Sequence, residues 1–119
     1  MYYAGLAEDD PEAHLSANLI KELQRLAINQ IYTCAGEFRT GEVVIQGVDH
    51  KPPDWTEVPR LVDEMCSYIL SNWGAPAVHL ASYAMWRINW IHPFFGGNGR
   101  TSRGVSYFTL SKAGVCATG

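Results

Sequence analysis

Residues 92–103 read HPFFGGNGRTSR, and the way this stretch turns the chain governs the reading of everything around it. Pro93 disfavours helix at His92, so the imidazole belongs to a loop directly after the helix that precedes it. Gly96, Gly97 and Gly99 allow positive φ and let the main chain approach closely whatever it faces. Asn98 is the non-glycine residue most tolerant of the same conformation. Successive amides in such a turn, leading into a helix N-terminus, form an anion-binding nest. Arg100 and Arg103 then fall in the first turn of that helix, where the macrodipole disfavours a cation by about 0.3–1 kcal/mol. A bound anion reverses this cost, and a spacing of three places both guanidiniums on one face, each able to fork onto phosphate oxygens. His92 stands at the edge of this phosphate site, where a general base belongs.

On either side of the turn the chain reads as helix. Asp10-Pro11 supplies a cap and a first-turn proline, and Leu15, Leu19, Leu23, Leu26 and Ile31 recur at near-helical steps, which predicts a first helix from about Pro11 to Tyr32. Pro52-Pro53 forbids regular structure. A second helix opens at Thr56 or Glu57, with Pro59 in its first turn and Leu61, Met65, Ile69 and Trp73 on one side. A third runs from Ala75-Pro76 to about Trp90, and its few charges predict burial on most sides. The fourth extends from about Gly99 to Lys112 and ends at Gly114. The only β signal is GEFRTGEVVIQG, residues 36–47, where Val43, Val44 and Ile45 predict a short strand or hairpin after a Thr40-Gly41 turn. The expected fold class is mainly α, a small helical bundle with a short β-hairpin between the first two helices, in a single domain spanning 1–119.

Composition narrows the function. With 119 residues, 47% of them hydrophobic, the chain is of a size to bury one core. No apolar run approaches the roughly 18 residues that would span a bilayer, and the acidic N-terminus does not resemble a signal peptide, so a cytoplasmic protein without membrane contact is expected. Cys34, Cys66 and Cys116 are odd in number and widely spaced, a pattern of free thiols and not of a disulfide framework or zinc site. Up to Glu64 the chain carries twelve acids against five bases, net -7; beyond it stand four bases and no acid, net +4. The second part therefore suits an anion, although four bases are too few for a nucleic-acid groove, and no nucleic-acid partner is expected. A Walker A loop and a dinucleotide fingerprint both need glycine or lysine where this sequence has other residues.

Each element of HPFFGGNGRTSR has an ordinary structural reading: GGNG as an interhelical turn, His92 as a satisfied histidine, the arginines as a solvated face. Their contiguous order favours a ligand site. It also resembles the signature of the Fic/Doc family in its Fic branch, HPFx(D/E)GNGRxxR, matching at His92, Pro93, Phe94, Gly97, Asn98, Gly99, Arg100 and Arg103. Residues 36–47 are similar to the family's flap, and the resemblance covers about Leu15 to Gly114. It implies a helical Fic-type fold and transfer of AMP from ATP to a Ser, Thr or Tyr hydroxyl of a target protein. Carried onto these residues, His92 is the catalytic base, Gly97, Asn98 and Gly99 hold the phosphates with Asn98 near the α-phosphate, and Arg100 and Arg103 bind the phosphate tail. Val43, Val44 and Ile45 of the flap pair with an extended stretch of the target.

At one position the pattern breaks. The family's acidic residue, a ligand of the Mg²⁺ that bridges the nucleotide phosphates, is Gly96 here, and no carboxylate follows Glu64. Three readings stand open: phosphates and water hold Mg²⁺ alone, Glu37 or Glu42 reaches in from the flap, or nucleotide binds without transfer. Transfer of another phosphate-containing group is a further alternative, as is a helical interaction domain without ligand. Many family members are restrained by a helix bearing S/T-x-x-x-E-G/N, whose glutamate pairs with the second arginine, here Arg103. Ile20 and Val115 stand where Ser16 and Ser111 would need that glutamate. A separate antitoxin-like protein or a missing segment would then supply the restraint, unless a weakened enzyme needs none. The chain stops soon after the fourth helix, which raises a C-terminally truncated domain or a homo-oligomer.

Overall fold

Ser16 opens the first helix: its hydroxyl accepts from the Leu19 amide at 3.2 Å and its carbonyl from Ile20 at 3.0 Å, satisfying donors that a helix start leaves over. The helix, α1, runs Ala17–Ile28. The computed structural model describes residues 15–28 and 34–113; Asp10-Pro11 and the helix end expected at Tyr32 lie outside the described residues. The expected start near Pro11 is corrected, since Leu15 and Ser16 stand outside the helix and the Ser16 side chain starts it. The buried stripe of α1 is Ile20, Leu23, Gln24 and Ile28. Leu19 and Leu26 sit half-buried at its flanks.

Asp54 caps the next element, its carboxylate accepting from the Thr56 amide at 2.9 Å and hydroxyl at 2.6 Å. A 3-10 turn, Trp55–Glu57, passes into α2, Val58–Ser71, with Pro59 in the first turn. Val58, Leu61, Val62, Met65, Cys66 and Ile69 face inward. Trp73 lies beyond the end of α2 and packs on the core half-buried. Burial pushes the Cys66 thiol up to about 12, an inert group.

Helix α3, Ala77–Ile91, begins at Pro76 and α4, Asn98–Lys112, at Gly97; Gly114 lies outside the described residues. Much of the inward face of α4 is small and polar. Thr101, Ser102 and Thr109 are buried, yet each hydroxyl donates back to a carbonyl of the preceding turn, Gly97, Gly99 and Val105 respectively, at 2.7–2.8 Å. Buried hydroxyls satisfied within their own helix let the neighbour come close, and α3 packs most extensively against α4. The core joins Ile20 and Leu23, the α2 face, Ala84, Ile88 and Ile91 of α3, Phe94, and Val105 and Phe108 of α4.

Two further expectations are corrected. Helix α3 is buried on one face only, at Leu80, Ala81, Ala84, Ile88 and Ile91; its outer face leaves Val78, Met85 and Trp86 exposed. Its lack of charge reflects an apolar surface, not burial on most sides. The predicted β-hairpin is not seen, and among the described residues there is no strand. Its β-branched run, Val43 to Ile45, makes no backbone–backbone hydrogen bond with another described residue. The chain bends at Thr40-Gly41, as expected, and turns again at Gln46-Gly47, with Gly47 at φ +77°. A lone two-stranded ribbon is marginal in water. The segment is anchored instead to the 92–103 loop, the Arg39 amide donating to the Pro93 carbonyl at 2.8 Å. Among the described residues no helix is long and apolar enough to cross a membrane.

Candidate active site

His92 closes α3 in the left-handed region, φ 52° and ψ 61°, the one non-glycine residue with positive φ among those described. Its amide still donates to the Ile88 carbonyl at 2.8 Å. Such a conformation costs a side-chain-bearing residue on the order of 1 kcal/mol and persists where the surroundings impose it. Here Arg39 imposes it. The guanidinium is 1% exposed and reaches across from the 36–47 segment, donating from Nε to the His92 carbonyl at 2.7 Å and from Nη2 to that of Ile91 at 3.3 Å. The same head group holds the carbonyls of Gly41, at 3.0 Å, and Pro53. A single buried cation thus ties the end of α3, the base of the flap segment and the Pro52-Pro53 loop into one body.

The His92 side chain is half-buried, and its imidazole makes no hydrogen bond with another described residue. Burial, then the Arg39 charge, then His50 hold its pKa below the ordinary histidine value. The ring is therefore neutral at pH 7, with a lone pair available to accept a proton.

The turn that follows is built as a frame. Asn98 is 4% exposed and closes the loop on itself: Oδ1 accepts from the Phe94 amide at 2.9 Å, and Nδ2 donates to the Phe94 carbonyl at 2.8 Å. Both ends of its amide are thereby committed to the shape of the turn. Gly97 has φ +75°, and a Cβ there would lie 2.4 Å from Ile28 Cγ2 on α1, so conformation and space both demand glycine. Gln24, 2% exposed, spans the remaining gap: Nε2 donates to the Gly96 carbonyl at 3.1 Å, and Oε1 accepts from the Gly36 amide at 2.6 Å.

Helix α4 starts from this frame with no side-chain cap and no acid in its first turn, which leaves its first amides to face whatever approaches. Gly99, Arg100 and Arg103 are exposed there. The Arg103 head group lies over Gly99, with Nη1 3.6 Å from where a Cβ would stand. Arg100 reaches the other way and donates to the Ala27 carbonyl at the end of α1, at 3.3 Å. Among the described residues neither arginine pairs with a carboxylate. The uncapped amides and two cations without a carboxylate partner stand at the exposed start of α4, a corner at the far end of the loop that begins at His92. That corner can bind a phosphate chain, and the neutral imidazole can accept a proton.

Magnesium fits this corner poorly. Glu37 and Glu42 are both exposed, Glu37 lining a separate cavity of about 520 Å³ with Lys21, Trp55 and Phe95. Among the described residues no three His, Cys, Asp or Glu side chains gather as a metal-holding group. The residues of the turn offer amides and cations, not the hard oxygen donors that Mg²⁺ requires.

The fold therefore brings His92, Gly97, Asn98, Gly99, Arg100 and Arg103 together in one loop and helix start. Ile45 joins His92 in lining a groove of about 390 Å³, while Val43 is half-buried and Val44 is 88% exposed. Arg39 and Gln24 were missed from sequence. Gln24 left one faint signal, a polar residue four positions from both Ile20 and Ile28 on the face that α1 buries; Arg39 left none, because the two carbonyls that tie it to the end of α3 are 52 and 53 residues away.

Residues 14–110 match the model of the Fic/DOC family. The protein adenylyltransferase Fic of Drosophila persimilis is 34% identical over 98 residues, 80% of this chain and 19% of that protein. Its counterpart in Drosophila willistoni is 33% identical over the same length. The chain thus spans about a fifth of these relatives. Among solved structures, a Fic domain containing signaling protein from Bacteroides thetaiotaomicron superposes with a TM-score of 0.78 at 26% identity, covering 95% of this chain and 45% of that one.

Proposed function

The chain belongs to the Fic/DOC family, and from that membership we propose that it is a protein adenylyltransferase, moving AMP from ATP to a Ser, Thr or Tyr hydroxyl of a target protein. The observation that carries this reading is a neutral, unbonded His92 imidazole fixed at the end of α3, beside an uncapped helix start bearing two arginines. The names of the Drosophila relatives support it at the level of transferase chemistry.

In this mechanism the first amides of α4 and the Arg100 and Arg103 guanidiniums bind the triphosphate, and Arg100 exchanges its long bond to Ala27 for a charge-assisted one. The target hydroxyl enters along the Val43–Ile45 segment, whose backbone groups are open to pairing with an extended chain. His92 removes the hydroxyl proton as the oxygen attacks the α-phosphorus. A new O–P bond forms, the α–β phosphoanhydride bond breaks, and pyrophosphate leaves with the bond's electron pair. The arginines and amides offset the charge that accumulates on it. Asn98 acts through the turn it closes, Gly97 through the close approach to α1.

His92→Ala is expected to lower label transfer from α-labelled ATP by about 10²-fold or more, the usual weight of a general base, with the circular dichroism spectrum unchanged. Transfer at the wild-type rate in that variant would remove His92 from the role. Gly96 and the absence of a metal-holding cluster among the described residues favour a second reading, a module that binds nucleotide without transferring it. It requires ATP binding by calorimetry, weakened by Arg100→Ala, with no label moved under any condition.

A further inference from the structure

Beside His92 the structure carries a groove to which the transfer step itself assigns no occupant. It is lined by Ile45 and Val48 from the flap segment, His50, Trp86, Asn89 and Trp90 from α3, and His92 itself. Its walls are mainly apolar and contain no Asp, Glu, Lys or Arg. Trp86 is 56% exposed and Val48 56% exposed, an unusual cost for an indole and a branched aliphatic on the same side of a small domain. The floor is stiff. His50 Nε2 bonds the Trp90 carbonyl at 2.8 Å and its ring stacks on Trp90 at 5.1 Å, while the Arg87 guanidinium sits over both indoles, 4.7 Å from Trp90 and 5.6 Å from Trp86.

We propose that this groove is a specificity pocket for the target, taking one large apolar side chain, aliphatic or aromatic, from a residue flanking the acceptor hydroxyl. The inference rests on the adenylyltransferase reading and names the class of acceptor segment that this reading leaves open. The occupant follows from three features. His92, the proposed acceptor of the hydroxyl proton, lines the groove, so whatever fills it lies beside the acceptor. The unpaired backbone of Val43 to Ile45 borders it, with Ile45 on the groove side and Val44 turned to solvent, which offers an extended segment main-chain pairing while alternate side chains drop into the pocket. The apolar walls admit an apolar side chain and give a charged one no Asp, Glu, Lys or Arg partner in the lining; the Asn89 amide remains to meet a backbone group of the visitor.

The test uses ten-residue peptides with a single Thr as acceptor and Leu, Phe, Ser or Asp at each of the three positions on either side. Label transfer from α-labelled ATP is measured for each, and fluorescein-tagged copies are titrated by anisotropy, a readout that needs no chemistry. Wild type is expected to favour Leu or Phe over Asp at one flanking position by about tenfold or more in kcat/KM and in affinity, the discrimination a modest apolar pocket supplies. Trp86→Ala is expected to erase the preference, and Val78→Ala, on the same helix face but outside the groove, to keep it. If no label moves but the apolar preference in binding appears and is lost in Trp86→Ala, the transferase reading fails and the pocket stands. Equal binding of all peptides, a preference that survives Trp86→Ala, or a groove filled by a second copy, seen as dimerisation that Trp86→Ala abolishes while no peptide is preferred, would each overturn the proposal.

Discussion

The proposed mechanism asks that His92 be held and kept neutral, and at residue scale both demands meet in Arg39. Its guanidinium grips the His92 carbonyl at 2.7 Å and its charge, after burial, is the second cause of the lowered imidazole pKa. Because the base works in its neutral form, kcat/KM is expected to rise with pH through the His92 pKa and then level, with the midpoint of the acid limb below 6.5 in a profile from pH 5 to 8. The same shift acts on folding: the unfolded chain binds the proton more readily, so stability declines as pH drops from about 6.5 through the lower folded value. Arg39→Met removes fork and charge together, and is expected to lower kcat by about tenfold or more while moving the acid limb up toward 6.5. Arg39→Lys keeps the charge but cannot hold four carbonyls, so kcat should fall with the limb in place. An unmoved limb in Arg39→Met would confine the residue to a structural role. The histidine and the arginines of the loop could be read from sequence, since type and spacing carried their chemistry. Arg39 and Gln24 could not, since their meaning lies in main-chain acceptors that only folding brings near.

At the scale of elements, the helices were legible and the flap was not. Apolar recurrence placed α2 and α3, and the glycines at either end placed α4, within a residue or two of where they stand. Val43, Val44 and Ile45 carry β propensity as real as any, yet propensity needs a partner strand, and here the neighbouring backbone bonds to the 92–103 loop instead. The uncharged character of α3 was read as burial, whereas its outer face is apolar surface carrying Trp86 and Met85. The joint between α1 and the turn that opens α4 has no room for a side chain at Gly97. Gly97→Ala would add a methyl 2.4 Å from Ile28 at a φ of +75°, and is expected to destabilise by about 3 kcal/mol, from backbone strain and overpacking together. In a thermal melt Tm should drop by roughly 10 °C or more. A loss below about 1 kcal/mol would show that α1 can yield at this joint.

Over the whole molecule, the charge step at Glu64 is the broadest feature the sequence showed, and the fold uses it unevenly. Of the four bases beyond that point, Arg100 and Arg103 stand at the exposed start of α4, where the proposed phosphates bind, Arg87 is spent on Trp86 and Trp90, and Lys112 lies in the last turn of α4. The corner is cationic and lacks the acid that its family motif calls for. Gly96→Asp is accordingly expected to raise transfer in the presence of Mg²⁺ by about tenfold or more and to make it sensitive to chelator, since the added carboxylate supplies the missing hard ligand. No gain would mean that the turn cannot present an acid to the phosphates. The most direct measurement is label transfer from α-labelled ATP to a cell lysate by wild type and by His92→Ala at equal, folded concentration. Labelled protein bands with wild type that disappear with His92→Ala are the expected result. Bands of equal intensity from both would contradict catalysis by this histidine, and with it the reading of the loop.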